Sequence, residues 1–188
     1  VARAGWPIQG DVFDYLSQDK LYHDVRTEKI HFANLGPIDY SRTRLRDPDL
    51  GYTADRILIF VPETAMTIVV DTIRVDKPGH RVFANVWHPD NILKQGDGWV
   101  VSWPPRIHIR QDAWENPHTR DLLIRFPPNP GTTRAVKTIN RRYHDSQVFY
   151  EYFAGHFAEG QKLTAVTVLT PHAAGSFQEK MLDAVRII

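Results

Sequence analysis

The chain has 188 residues, 42% hydrophobic and 24% charged, with 23 Lys and Arg against 22 Asp and Glu for a net charge of +1. That near-neutral balance excludes bulk attraction to nucleic acid or to an anionic membrane surface, and the absence of Cys excludes disulfides, thiol nucleophiles and thiolate metal sites. No run of about 18 apolar residues exists, so no spanning helix is expected, while five Trp, seven Tyr and nine Phe exclude bulk disorder.

Thirteen Pro and 11 Gly spread along the chain disfavour long helices. A short helix is predicted over residues 11–18, after Gly10. Tyr40, Arg42 and Arg44 alternate along a strand and share one face. Residues 56–61 are β-branched and aromatic, and a turn over 62–65 leads into an apolar strand over 66–75, buried on both faces for part of its length. Residues 76–79 form a Pro-Gly turn. Residues 80–88 alternate polar and apolar as a half-buried strand does. A further turn over 95–98 precedes a strand over 99–103. Strands follow over 106–110, 122–126 (ended by Pro127-Pro128), 138–143, 147–153 and 162–169. A second short helix over 176–185 has Ser176 as a cap with Glu179 three residues on. Nine or ten strands without intervening helices predict an all-β, antiparallel β-sandwich with one or two short helices. Residues 1–188 read as one domain. The start at Val1, without Met or an apolar leader, and the apolar end over 181–188 suggest a mature fragment or a piece of a longer polypeptide.

Chemical motifs are few. There is no Gly-rich nucleotide loop, no G-x-S-x-G and no H-E-x-x-H. None of the nine His lies at the spacing that puts two ligands on one face of a strand or helix. A metal site would have to assemble between strands, Asp71 with His88 for instance, so no metal or cofactor is expected. Asp47 and Asp49 flank Pro48 in a turn, and Asp55 beside Arg56 suits a salt bridge. Aromatic residues with Arg are the suggestive pattern. Arg offers a planar fork to carboxylate or sulfate, and an aromatic ring offers a stacking plate. Trp87, Trp99 and Trp103 fall on neighbouring predicted strands, and Tyr40, Arg42 and Arg44 form a stripe. The bland alternatives are buried Trp and a solvated Arg face.

One stretch carries a resemblance. It runs Tyr40-Ser41-Arg42-Thr43-Arg44, then Arg56-Ile57-Leu58-Ile59-Phe60, Val69-Val70-Asp71-Thr72-Ile73 and Asn85-Val86-Trp87-His88-Pro89, with Phe149-Tyr150-Glu151 and Thr167-Val168-Leu169-Thr170-Pro171-His172 further on. These segments resemble the β-sandwich portion of heparinase II/III-like polysaccharide lyases, over residues 39–172. The resemblance implies a partner in an acidic, uronate-containing polysaccharide such as a glycosaminoglycan. It also implies a missing helical catalytic domain, because in that family the catalytic Tyr and His come from a helical toroid. A further His and the metal ligands come from an H-x-[HQ]-x-D-like segment of the sandwich, which this sequence lacks. Catalytic residues are therefore not carried over, and the isolated chain is expected to be inactive. Tyr40, Arg42, Arg44, Trp87 and His88 are the expected substrate contacts. The alternative is a stand-alone carbohydrate-binding or structural sandwich, without nucleic-acid or membrane partners.

Overall fold

The computed structural model describes residues 2–4, 12, 25–89, 91–103, 119–141 and 144–183. Twelve strands among them form two antiparallel sheets. The strands are β1 (Ala2–Ala4), β2 (Thr27–Asn34), β3 (Asp39–Asp47), β4 (Tyr52–Val61), β5 (Met66–Val75), β6 (Gly79–Trp87), β7 (Asn91–Gly96), β8 (Trp99–Trp103), β9 (Arg120–Arg125), β10 (Thr133–Arg141), β11 (His144–Phe157) and β12 (Lys162–Ala173). The large sheet runs β2-β3-β4-β5-β12-β9-β8-β7 and the small one β1-β6-β11-β10.

Turn chemistry sets the meander that opens the large sheet. Between β3 and β4 the buried Asp47 carboxylate accepts the backbone amides of Asp49 and Leu50, at 3.1 and 2.9 Å. Gly51 then takes φ +69°, a conformation that glycine adopts without steric penalty. This turn fixes the register Leu45↔Ala54, Arg44↔Asp55 and Arg42↔Ile57. After β5 the chain crosses to the small sheet, and a 2.6 Å hydrogen bond from the Thr53 hydroxyl to Asp76 anchors the crossing. It returns for β7–β9, crosses again for β10–β11 and closes with β12 in the middle of the large sheet.

Alternation within each strand supplies the core. Between the sheets, Val75, Phe83, Phe153, Phe157, Leu163 and Ala165 fill one half, and Val100, Ile124, Phe126 and Phe149 fill the other. A polar bridge stands between the halves. Thr167 Oγ1 on β12 accepts Asn85 Nδ2 at 2.7 Å and Trp87 Nε1 at 3.1 Å, both from β6. It joins two sheets through groups that would otherwise be buried unpaired. Val12 is helical and packs with Val82, Ala84, Val148 and Tyr150 on the other face of the small sheet.

The sandwich expectation holds, with three strands more than the sequence signalled: β1, β2 and β7. The second predicted helix is corrected to a single 3₁₀ turn, Glu179–Asp183. Ser176 does not cap it. Its hydroxyl donates to the Ala173 carbonyl at 2.7 Å, and Phe177 stacks on Trp99 at 4.8 Å, which pins the segment to the sheet. The predicted strand over 106–110 and, apart from Val12, the predicted helix over 11–18 lie outside the described residues. The 66–75 strand is buried on its inner face at Val69 and Val75, while Ile68, Val70 and Thr72 opposite are half-buried. No described helix is long and apolar enough to cross a membrane.

Candidate functional site

Eight strands against four leave β2, β3 and β4 projecting past the small sheet. The overhang has two chemically different faces. On the outer face lie Tyr40, Arg42 and Arg44, on one side of β3 as alternation requires. Both guanidiniums converge on one carboxylate. Arg44 grips Asp55 through Nε and Nη2 at 2.6 and 2.8 Å, and Arg42 Nη2 bonds the same group. The two Arg hold the Asp55 carboxyl down at about 2, Arg44 contributing the larger hydrogen bond. His31 on β2 tilts against Tyr40, ring centroids 5.6 Å apart. The stripe is thus two half-buried cations sharing the Asp55 carboxylate, with Glu28 of β2 opposite Arg44 as a second anion.

Asp55→Asn should remove the lowered carboxyl and cost about 1 kcal/mol at neutral pH, after allowance for solvent screening on this open face. The folded-state value lies below the unfolded one, so the contribution is present at neutral pH and lost as pH falls through about 2. Acid unfolding of the two proteins should therefore converge at the acid end. A constant gap at every pH would mean that the pair is not the source.

The inner face of the overhang forms one wall of a cleft of about 300 Å³, and Phe83, Asn85 and Phe153 of the small sheet form the other. Thr27, Thr43 and Leu45 stand at the outer end and Tyr52, Ala54 and Ile73 along the wall. Arg56 and Asp71, cross-strand partners on β4 and β5, close on each other with bonds of 2.7 and 2.9 Å. Hydrogen bonding to Asp71 raises the Arg56 pKa, so the guanidinium stays charged and is held by a carboxylate within its own wall. Tyr52 meets Phe83 edge-on at 5.5 Å. Burial, with the Asp47 charge nearby, pushes its hydroxyl up to about 12, so it stays protonated. Asn85 is 8% exposed, and its Oδ1 has no hydrogen-bond partner among the described residues. The cleft therefore holds a neutral pair, a protonated phenol and an amide.

The five expected contacts do not converge. Tyr40, Arg42 and Arg44 share the outer face of β3. Trp87 stands between the sheets, its ring against the Phe149 cluster and its indole nitrogen on Thr167. His88 is exposed just beyond β6. Trp87 also lies in a different sheet from Trp99 and Trp103, which β8 carries. Asp71, considered with His88 for a metal, is engaged by Arg56, and no three potential metal-binding side chains cluster among the described residues. The sequence reading missed Asn85 and the Arg56–Asp71 pair. A turn over residues 48–51 is what sets Arg44 opposite Asp55, and nothing local signals the cleft.

No family model and no curated protein matches the sequence. The fold is similar to that of heparan sulfate lyase HepC from Pedobacter heparinus, with a TM-score of 0.56 at 12% identity, covering 82% of this chain and 23% of the lyase. It is also similar to a heparinase III, with a TM-score of 0.52 at 11% identity, covering 78% of this chain and 21% of that one. The chain spans about a fifth to a quarter of the length of these lyases. At such identity the likeness is one of fold.

Proposed function

We propose that the chain is the β-sandwich part of a polysaccharide lyase acting on an acidic, uronate-containing polymer. In this reading it is exported to the periplasm or beyond the cell, braces a helical catalytic domain and contributes an edge to the substrate cleft. The observation that carries the reading is the match of about four-fifths of the chain to the sandwiches of heparan sulfate lyases.

The physical chemistry is consistent with a supporting role. Abstraction of the proton beside a uronic carboxylate needs a base, a charge sink and a proton donor within hydrogen-bond reach of one another. The described cleft offers an ion pair that satisfies itself and a phenol that stays protonated. The overhang also leaves Phe32, Leu58 and Phe60 at 59, 39 and 37% exposure on its inner face, an apolar surface of the kind a second domain covers. On the outer face the guanidinium edges of Arg42 and Arg44 beside Tyr40 are the groups offered to a uronate or sulfate, and His88 is exposed just beyond β6. Trp87 in this reading is structural.

The parent polypeptide, incubated with heparan sulfate and other uronate polymers, should release unsaturated uronide ends, followed by ultraviolet absorbance. A parent polypeptide that leaves every such polymer intact would overturn the proposal.

A further inference from the structure

We infer that the cleft between the overhanging strands and the small sheet binds a single uncharged sugar ring. The inference does not rest on the lyase reading, since it follows from the lining of the cleft alone.

Size comes first. About 300 Å³ is at the lower end of small-molecule sites, enough for one ring and too small for a chain threaded through it. Shape comes second. Tyr52 and Ile73 of the large sheet stand across from Phe83 and Phe153 of the small sheet, and Tyr52 and Phe83 meet edge to face where the two walls join. An aromatic corner of this kind packs against the C–H face of a pyranose and gives little to a fully polar solute. Polar groups come third. Thr27 and Thr43 line the outer end, the Arg56–Asp71 pair lies on the wall, and Asn85 stands at the opposite end on β6. Asn85 Nδ2 is committed to Thr167, which leaves Oδ1 a buried acceptor without a partner among the described residues. An unsatisfied buried acceptor is destabilising, and a hydroxyl donor in the cleft would satisfy it.

Charge decides the class of sugar. Among the described residues Arg56 is the one cation lining the cleft, and it is held by both oxygens of Asp71. An incoming carboxylate or sulfate would find Asp71 and the Asn85 carbonyl oxygen, both acceptors, in a poorly solvated space. Its desolvation would go uncompensated. A neutral hydroxyl instead donates to Asn85 or Asp71 and accepts from the outward edge of Arg56, which is 51% exposed. The two faces of the overhang thus differ in preference: anions suit the outer Arg stripe, and a neutral ring suits the inner cleft.

The test is a titration of the 188-residue chain with methyl β-glucoside and, separately, with glucuronate, followed by the side-chain amide resonance of Asn85. The neutral glycoside should shift that resonance saturably, with a Kd of about 1–10 mM, and glucuronate should bind at least about tenfold more weakly. Ala54→Trp, which fills the cleft, should weaken glycoside binding at least about tenfold. Thr27→Trp blocks the mouth from an exposed edge position, so it reports the same loss should the Ala54 variant fail to fold. No saturable shift, glucuronate binding as tightly as the glycoside, or binding that survives both blocking variants would overturn the inference. Failure here leaves the lyase reading intact, and a parent polypeptide without lyase activity leaves this one intact.

Discussion

Glu151→Ala is expected to destabilise the sandwich by about 3–5 kcal/mol, the cost of stranding one member of a buried ion pair. Glu151 on β11 is 1% exposed. Its Oε1 accepts the Thr132 hydroxyl at 2.9 Å and Arg134 Nε at 3.1 Å. Arg134 in turn donates to the Pro127 carbonyl at 2.7 Å, in the segment that leaves β9. One carboxylate therefore ties a crossing from the large sheet to two strands of the small one. Removing it leaves Arg134 nearly buried without its closest counter-charge. Chemical denaturation should show the loss as a lowered midpoint at unchanged slope, and a loss below about 1 kcal/mol would refute this account of the crossing.

The same residue gives the fold a pH dependence. Burial raises the Glu151 carboxyl above its ordinary 4.5, and this outweighs the opposing hydrogen bonds from Thr132 and Arg134. Because the folded-state value is the higher one, the contribution of Glu151 is fully present below about 4.5 and declines as pH rises through the raised value. Glu151→Gln keeps an acceptor for both partners and removes the titration. Its stability relative to the parent should therefore rise as pH climbs from about 4.5 through the raised value. A difference that stays flat over that range would mean the carboxyl titrates normally.

Phe149→Ala is expected to have an effect of similar size, about 3–5 kcal/mol. The ring is 2% exposed and stacks on Phe126 at 4.3 Å, in the half of the core that Val100 and Ile124 complete. Val100 and Ile124 belong to β8 and β9 of the large sheet and Phe126 follows β9 directly, while Phe149 belongs to β11 of the small sheet. The vacancy would open at the contact between layers, where neither sheet can collapse into it without breaking its own ladder. Phe149→Leu, which keeps most of the volume, should recover more than half of the loss. Equal losses for Ala and Leu would point to the stacking geometry instead of the volume.

Strands with a clear pattern were legible in the residues. β5 and β8 fall where β-branched runs are bounded by Pro and Gly turns, and the alternation over 80–88 gives β6. β2 and β7 escaped notice for a shared reason. Each carries a register shift, between Lys29 and His31 in one and Ile92 and Lys94 in the other, and an extra residue breaks the period of two. The common face of Tyr40, Arg42 and Arg44 was legible because it depends on alternation alone. The capture of both Arg by Asp55 was not, because it depends on how β3 meets β4. The placement of Trp87 went astray for a larger reason. Sequence proximity to Trp99 conceals a change of sheet between β6 and β7. The cleft was invisible, since it arises from the unequal width of two sheets and from Asn85 meeting Thr167, 82 positions away.

In the proposed function the chain supports and positions a polysaccharide without cutting it. The most direct measurement incubates the 188 residues alone, at catalytic and at stoichiometric concentration, with heparan sulfate, and monitors ultraviolet absorbance and polymer length. The account predicts no new absorbance and no shortening. Unsaturated ends appearing in proportion to the amount of this chain, and lost when its cleft is blocked, would contradict it.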